Sequence, residues 1–306
     1  MPDQTGKTFL ITGGNSGIGL EAGRMLSGMG ARVVLTARDL ARGEAALADI
    51  RAAAPDALVE ILRLDLADLE SIECAAAELR DRHPRLDVLV NNAGVMATPY
   101  RTTADGFELQ LGTNHLGHFA FTGRVLPSLL AAERARVVTI SSGAHRMGVI
   151  AFDDLDSKRR YQKWRAYGQS KLANLLFTHE LDRRAHAAGL PLIAAAAHPG
   201  YAATNLQLAG PRMQGSKFGE ALNAVGNRVF AQDAVAGAWP TVYAATMPDV
   251  RGGDYYGPDG FAQLRGLPNR VGSSAAARDR DTARRLWEVS VERTGVTYEE
   301  LVAPAA

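Results

Sequence analysis

The sequence predicts an α/β fold, a doubly wound parallel β-sheet with helices on both faces. Two observations carry that expectation. Strand-like and helix-like segments alternate through roughly the first 200 residues, and several strand candidates are apolar at nearly every position rather than at every second one. A strand without polar alternation is covered on both sides, as in a parallel sheet buried under helices.

The elements follow in order. KTFLIT (7–12) is an apolar run ended by glycines and reads as the first strand. GIGLEAGRMLSGMG (17–30) reads as a helix ending near Gly30, a residue type suited to a C-terminal cap. RVVLTA (32–37) is strand, and 39–54 is helix up to Pro55, which cannot continue one. LVEILRLD (58–65) is strand, 68–82 helix and LDVLVNNAG (86–94) strand. A long helical region covers about 106–132, followed by strand RVVTISS (136–142), helix 165–188 and strand PLIAAAAHPG (191–200). A charged helix falls at about 278–294. No repeat or linker interrupts the chain, so one domain over 1–306 is expected. Three excursions break the alternation: 143–164, 201–230 and 252–306. In such sheets, long excursions at strand ends build substrate sites or decorate the surface.

Composition excludes several functions. The 34 Lys and Arg nearly cancel the 33 Asp and Glu, which argues against a nucleic-acid or anionic-membrane partner. The cluster Lys158-Arg159-Arg160 and the pair Arg134/Arg136 read as solvated surface. Cys74 is the single cysteine, so no intramolecular disulfide can form; a buried apolar role and a reducing cytoplasm fit it. KTFLITGG is too short an apolar run for a signal peptide. Residues 185–211 lack Asp, Glu, Lys and Arg, but Pro191, His198, Pro199, Gly200 and Asn205 mark strand and turn rather than a membrane span.

The turn TGGNSGIG links the first strand to the first helix. Gly13, Gly17 and Gly19 would allow a tight bend, close approach of a pyrophosphate, and close helix–strand packing. A helix N-terminus adds free N–H groups and positive potential for phosphate. The sheet is therefore expected to be of the Rossmann type, with a dinucleotide at this turn. The second strand ends TARD, placing Ala37 where an NAD site keeps a carboxylate, with Arg38 next. An arginine fork suits a 2′-phosphate, so NADP(H) is favoured over NAD(H). Asp39 suits a cap on the next helix.

RAYGQSKLANLLF (165–177) places Tyr167 four residues before Lys171, on one helix face. Hydride transfer to a carbonyl leaves an alkoxide that needs a proton, and the reverse needs an alcohol deprotonated. A phenol can do either if a nearby cation lowers its pKa from ~10. A hydroxyl beside the substrate oxygen would polarise it. Ser141 and Ser142 end a strand and point to opposite faces, so one of them should face the cleft.

Taken together, Thr12-Gly13-Gly14-Asn15-Ser16-Gly17-Ile18-Gly19, Asp65, Asn91-Asn92-Ala93-Gly94, Asn114, Ser142, Tyr167…Lys171 and His198-Pro199-Gly200 resemble the short-chain dehydrogenase/reductase family, from residue 7 to about 205. The wording TGGNSGIG, TARD, SSGAHR and YGQSKLANLLF is similar to its retinol-dehydrogenase and protochlorophyllide-reductase-like branch, whose members usually prefer NADP(H).

The resemblance implies an alcohol/carbonyl oxidoreductase with a small-molecule substrate. Tyr167 would be the acid/base. Lys171 would lower its pKa and hold the nicotinamide ribose. Ser142 would polarise the substrate oxygen, and Asn114 would hold a water linking Lys171 to solvent. Gly13, Asn15, Ser16, Gly17, Ile18 and Gly19 would cradle the dinucleotide with Arg38. Asp65 would bind the adenine amino group with Leu66 beside it. Asn91, Ala93 and Gly94 would border the cofactor ribose, although Asn91 could instead pin the central strands. Pro199, Gly200 and Thr204 would flank the nicotinamide carboxamide. Family members often pair through helices corresponding to 106–132 and 165–188, an interface the 143–164 insertion could alter.

Other readings stay open on residues alone. An NAD(P)-retaining epimerase or dehydratase shares Tyr and Lys but usually carries a different glycine spacing and a larger C-terminal domain. A non-catalytic NAD(P)-binding protein would be expected to lose Ser, Tyr or Lys, and none is lost. His115 and His118 have ligand-like spacing without a third ligand, so helix packing suits them better than a metal. His145 and His198 could approach a substrate, but packing suits them better. Met147, Ile150, Phe152, Trp164, Met213 and Phe218 offer either walls for a lipophilic substrate or ordinary packing.

Overall fold

The computed structural model describes residues 1–200 and 233–301. Residues Thr204, Met213 and Phe218 and the excursion 201–230 lie outside the described residues.

Eight strands form one sheet in the order β3-β2-β1-β4-β5-β6-β7-β8. They are β1 (Thr8–Ile11), β2 (Arg32–Ala37), β3 (Val59–Arg63), β4 (Val88–Asn91), β5 (Ala135–Ile140), β6 (Leu192–Ala197), β7 (Tyr255–Pro258) and β8 (Pro268–Arg270). Pairing is parallel from β3 through β7, with β8 antiparallel to β7. β8 adds an antiparallel edge to the expected parallel sheet, because the nine residues between β7 and β8 are too few for a parallel crossover.

Helices α1 (Gly17–Gly28), α2 (Leu40–Ala53) and α3 (Leu69–Arg82) follow the first three strands. Asp39 and Asp68 cap α2 and α3 through backbone N–H groups. The region expected as one helix over 106–132 is instead α4 (Leu109–Leu111), a π-turn (Gly112–Leu116), α5 (Gly117–Arg124) and α6 (Leu126–Leu130). Pro127 in the first turn of α6 lacks the N–H a continuous helix would need. Beyond β5 come α7 (Lys163–Ala187), α8 (Ala234–Thr246) and α9 (Arg280–Thr294).

The apolar strands are sorted by the pleat. Phe9, Ile11, Val33, Leu35, Val88, Val90 and Val138 join one core with α1, α2 and α8. Their neighbours Leu10, Val34, Leu89 and Val137 join the opposite core with α3, α5, α7 and α9. Both faces are thus buried, as the unbroken apolar strands required. On the second face Phe119 meets Phe177, Trp287 and Tyr298 at ring separations of 5.7, 5.0 and 4.9 Å, anchoring α9 and the segment after it.

Two surface expectations are corrected. Cys74 is exposed, because the buried stripe of α3 runs through Ile72, Ala75, Ala76 and Leu79. Arg136 is half-buried and donates to the carbonyls of Ala244 and Met247, tying β5 to the end of α8. Lys158, Arg159 and Arg160 are exposed as expected.

Candidate active site

β1 and β4 are neighbours from which the strand order runs in opposite directions, so a crevice opens at their C-terminal ends. The glycine turn follows β1 and Asn91-Asn92-Ala93-Gly94 ends β4. Gly13 has φ +67°, and a Cβ there would lie 2.9 Å from the Ala93 Cβ. A Cβ on Gly19 would lie 2.5 Å from Asn92 Nδ2 and 2.6 Å from the Gly13 carbonyl oxygen. These positions therefore take only glycine without displacing the turn.

Thr12, Thr36 and Asn92 hold the turn and were passed over as site residues in the sequence. Thr12 Oγ1 accepts from the Asn92 and Ala93 amides at 2.9 and 3.0 Å. Asn92 Nδ2 donates to the Thr12 carbonyl at 2.8 Å, and Thr36 Oγ1 accepts from the Gly13 amide at 3.2 Å. The available signal was their polarity in otherwise apolar strand ends. Asn15 and Ser16 lie on the turn, Gly17 opens α1, and Ile18 packs partly into the core. Ser16 makes no side-chain cap bond and α1 has no acidic residue in its first turn. That is what an anion-binding helix N-terminus requires, so the residues fit a dinucleotide pyrophosphate.

At the end of β2, Ala37 is buried and Arg38 is exposed, with Nε 3.9 Å from Asp65 Oδ2. The fold brings these two sequence candidates to one edge. Asp65 also accepts from the Ala67 amide at 3.0 Å, while Leu66 turns into the core. Asn91, the candidate for the cofactor ribose or for pinning the central strands, ends β4. It is fully buried, and its Nδ2 donates to Thr122 at 3.0 Å, which pins β4 to α5.

Asn114 sits in the π-turn. Its side chain clamps Val95 in both directions, Oδ1 accepting from the amide at 2.7 Å and Nδ2 donating to the carbonyl at 2.9 Å. The same Nδ2 donates to Ser170 at 2.9 Å, tying the π-turn to α7. Gly94 stands against this junction; a Cβ there would be 3.0 Å from Asn114 Oδ1 and 3.6 Å from Lys171 Nζ. His118 bridges Thr12 Oγ1 and the Asn114 carbonyl at 2.9 Å each, and His115 meets Ser290 at 2.9 Å. Both histidines are buried packing residues with pKa values pushed down to about 4 and about 3 by burial. Among the described residues no group of His, Cys, Asp and Glu could hold a metal.

The two serines divide as the pleat demands. Ser141 is buried and donates to the Lys171 carbonyl at 2.8 Å. Ser142 follows β5 close enough to Tyr167 for its hydroxyl to counteract part of the rise in the phenol's pKa. Burial nevertheless pushes Tyr167 up to about 12. Lys171 stands one turn along α7 from Tyr167. The ammonium lies 5.8 Å from the ring centroid and is itself buried, which drives its own pKa down to about 8. Lys171 Nζ donates to the Ile140 carbonyl at 3.0 Å, which Asn174 Nδ2 also reaches at 2.9 Å.

The 24 residues between Ser142 and Tyr167 (143–166) do not separate them. A 3-10 turn (Gly143–Met147) lays the start of this stretch on α7, with Gly148 packed on the Gly168 carbonyl. Farther along, Phe152 carries the Arg285 guanidinium over its ring at 4.0 Å, and Asp156 pairs with Arg293. Ile150 and Phe152 pack on a third apolar cluster, whereas Met147 and Trp164 are exposed. The Trp164 ring meets the Tyr167 ring edge-on at 6.2 Å. His198, Pro199 and Gly200 follow β6; the Gly200 amide donates to His198 Nδ1 at 3.2 Å.

A profile described as "short chain dehydrogenase" matches residues 7–214. The chain belongs to the short chain dehydrogenase family. Within it, the chain falls in the retinol-dehydrogenase branch. It is 40% identical to mouse retinol dehydrogenase 14 over 303 residues, covering 95% of this chain and 86% of the relative. It is 40% identical to human retinol dehydrogenase 12 over 296 residues, covering 96% and 88%. A crystal structure of a putative uncharacterized protein from Mycobacterium paratuberculosis superposes with TM-score 0.80 at 43% identity, covering 97% of both chains. The protein is thus an oxidoreductase of alcohols and carbonyls that binds a nicotinamide dinucleotide and acts on small molecules. Among the described residues no helix is long and apolar enough to cross a membrane.

Proposed function

We propose that this dehydrogenase uses NADP(H) to interconvert a lipophilic alcohol and its carbonyl, with Tyr167 as the acid/base. The observation that carries the reading is proximity: Asn114 bonds Ser170 on α7, Lys171 Nζ lies 5.8 Å from the Tyr167 ring centroid, and Ser142 is close enough to Tyr167 to act on its phenol. A nicotinamide dinucleotide held at the glycine turn would supply the chemistry of hydride transfer to or from the carbonyl carbon. Tyr167 Oη, a protonated phenol at neutral pH, gives its proton to the substrate oxygen during reduction and takes it back during oxidation. Ser142 Oγ orients and polarises that oxygen. Lys171 stands behind the phenol, where its charge stabilises the phenolate left after proton donation.

Arg38 supports the NADP(H) preference, since its exposed guanidinium at the end of β2 has no carboxylate in the Ala37 place. Exposed Trp164 beside Tyr167 and exposed Met147 against Gly168, with relatives named retinol dehydrogenases, support a long apolar substrate of the retinol type. The test is a panel of alcohols and carbonyls assayed with NADPH and NADH, for the native protein and for Tyr167→Phe. Tyr167→Phe should retain cofactor affinity and lose about 10²–10⁴ in turnover. Native-like turnover in that variant would remove Tyr167 from the acid/base role.

A further inference from the structure

Both nitrogens of one buried ring beside this site are committed. His145 lies in the turn directly after Ser142 and is 1% exposed. Its Nδ1 is 2.6 Å from the Ser142 carbonyl oxygen, and its Nε2 is 3.1 Å from the Ser274 amide nitrogen. A carbonyl only accepts and an amide N–H only donates. Nδ1 therefore carries the proton and Nε2 is bare. Arg146 adds a bond to the Gly272 carbonyl at 2.9 Å. Together they fasten the Ser142 turn to residues 272–274, beyond the 7–214 stretch that matches the family.

Ser142 is extended, with φ −159° and ψ 157°, and its two oxygens are held separately. The hydroxyl accepts from the Ala144 amide at 3.2 Å. The carbonyl accepts from the His145 amide at 3.0 Å and from the His145 ring. The ring bond fixes the plane of the peptide after Ser142, and with it the direction in which the hydroxyl points. We propose that His145 is a positioning residue that aims Ser142 Oγ at the substrate oxygen. This rests on the reading that Ser142 polarises that oxygen. His145 itself has no role at the reacting atoms.

Two substitutions separate aiming from mere packing. In His145→Asn the amide nitrogen stands near the place of Nδ1 and can still donate to Ser142. In His145→Gln the amide reaches toward the place of Nε2, keeps an acceptor for Ser274 and leaves the Ser142 carbonyl without its ring donor. Aiming predicts that His145→Asn keeps most of kcat, while His145→Gln loses about 100-fold in kcat with cofactor KM unchanged, the usual scale for a misplaced group. Native-like kcat in His145→Gln, or equal losses in both variants that track loss of folded protein, would overturn it.

Ser142→Ala is measured alongside. Full turnover in Ser142→Ala would remove the underlying reading. An inactive Ser142→Ala beside a native-like His145→Gln would remove this inference alone. Nitrogen NMR of the unaltered protein supplies a readout independent of turnover: the Nδ1-protonated neutral tautomer is expected, and the Nε2-protonated one would refute the geometry.

Discussion

Replacing Lys171 with methionine should stabilise the cofactor-free protein while abolishing its turnover. Lys171 is 3% exposed, and burial lowers its pKa from 10.5 to about 8. A group whose folded pKa lies below its unfolded one weakens the fold while it is charged. The penalty is complete below pH 8 and fades as pH rises toward 10.5, where the unfolded chain also loses the proton. Each tenfold step in the constant is worth about 1.4 kcal/mol, so the penalty at neutral pH is ~3 kcal/mol. Methionine removes it and fills similar space. The lost hydrogen bond to Ile140 offsets about 1 kcal/mol, no more, because Asn174 still satisfies that carbonyl. The net gain at pH 7 is ~2 kcal/mol. Urea unfolding of both proteins without cofactor, at pH 7 and at pH 9.5, measures it. The variant should be more stable at pH 7, and the gap should shrink at pH 9.5. A variant less stable at pH 7, or a gap unchanged with pH, would refute the account of Lys171 as a desolvated ammonium.

Two further changes address the cofactor. Arg38→Ala should weaken NADPH binding about tenfold, the scale of one charged hydrogen bond at an exposed site, and leave NADH nearly unchanged; calorimetric titration with each cofactor shows which holds, and equal weakening would count against the 2′-phosphate reading. Gly19→Ala should cost at least about tenfold in dinucleotide affinity, because its Cβ would press on Asn92 Nδ2 and the Gly13 carbonyl, 2.5 and 2.6 Å away. Helix propensity alone would favour that alanine by about 1 kcal/mol. Native affinity would therefore show that the turn gives way easily.

Much of the site was legible because its residues announce themselves locally. Tyr167 and Lys171 share a helix face at fixed spacing, and the glycines stand where a strand meets a helix. Cys74 and Arg136 were misread because burial depends on which way an element turns toward its neighbours, and helix and strand period alone do not give that phase. The break at Pro127 and the π-turn around Asn114 were missed because apolar content continues through both. β8 was missed because three residues of edge strand carry no periodicity.

The sequence by itself determined that most strands pair in parallel and that a glycine turn joins the first strand to the first helix, and it put forward Tyr167 and Lys171 as the candidate acid/base pair, since each is written in short-range pattern. Tertiary structure decided how these parts act on one another. It turned Asn91 into the core and set Ser142 close to Tyr167. It also placed Thr12, Thr36 and Asn92 as supports of the turn, and joined His145 to Ser274 across 129 positions. It set Tyr167 and Lys171 away from their ordinary pKa values in the protein alone. Desolvation and directed hydrogen bonds depend on neighbours distant in the chain, which short-range pattern does not encode.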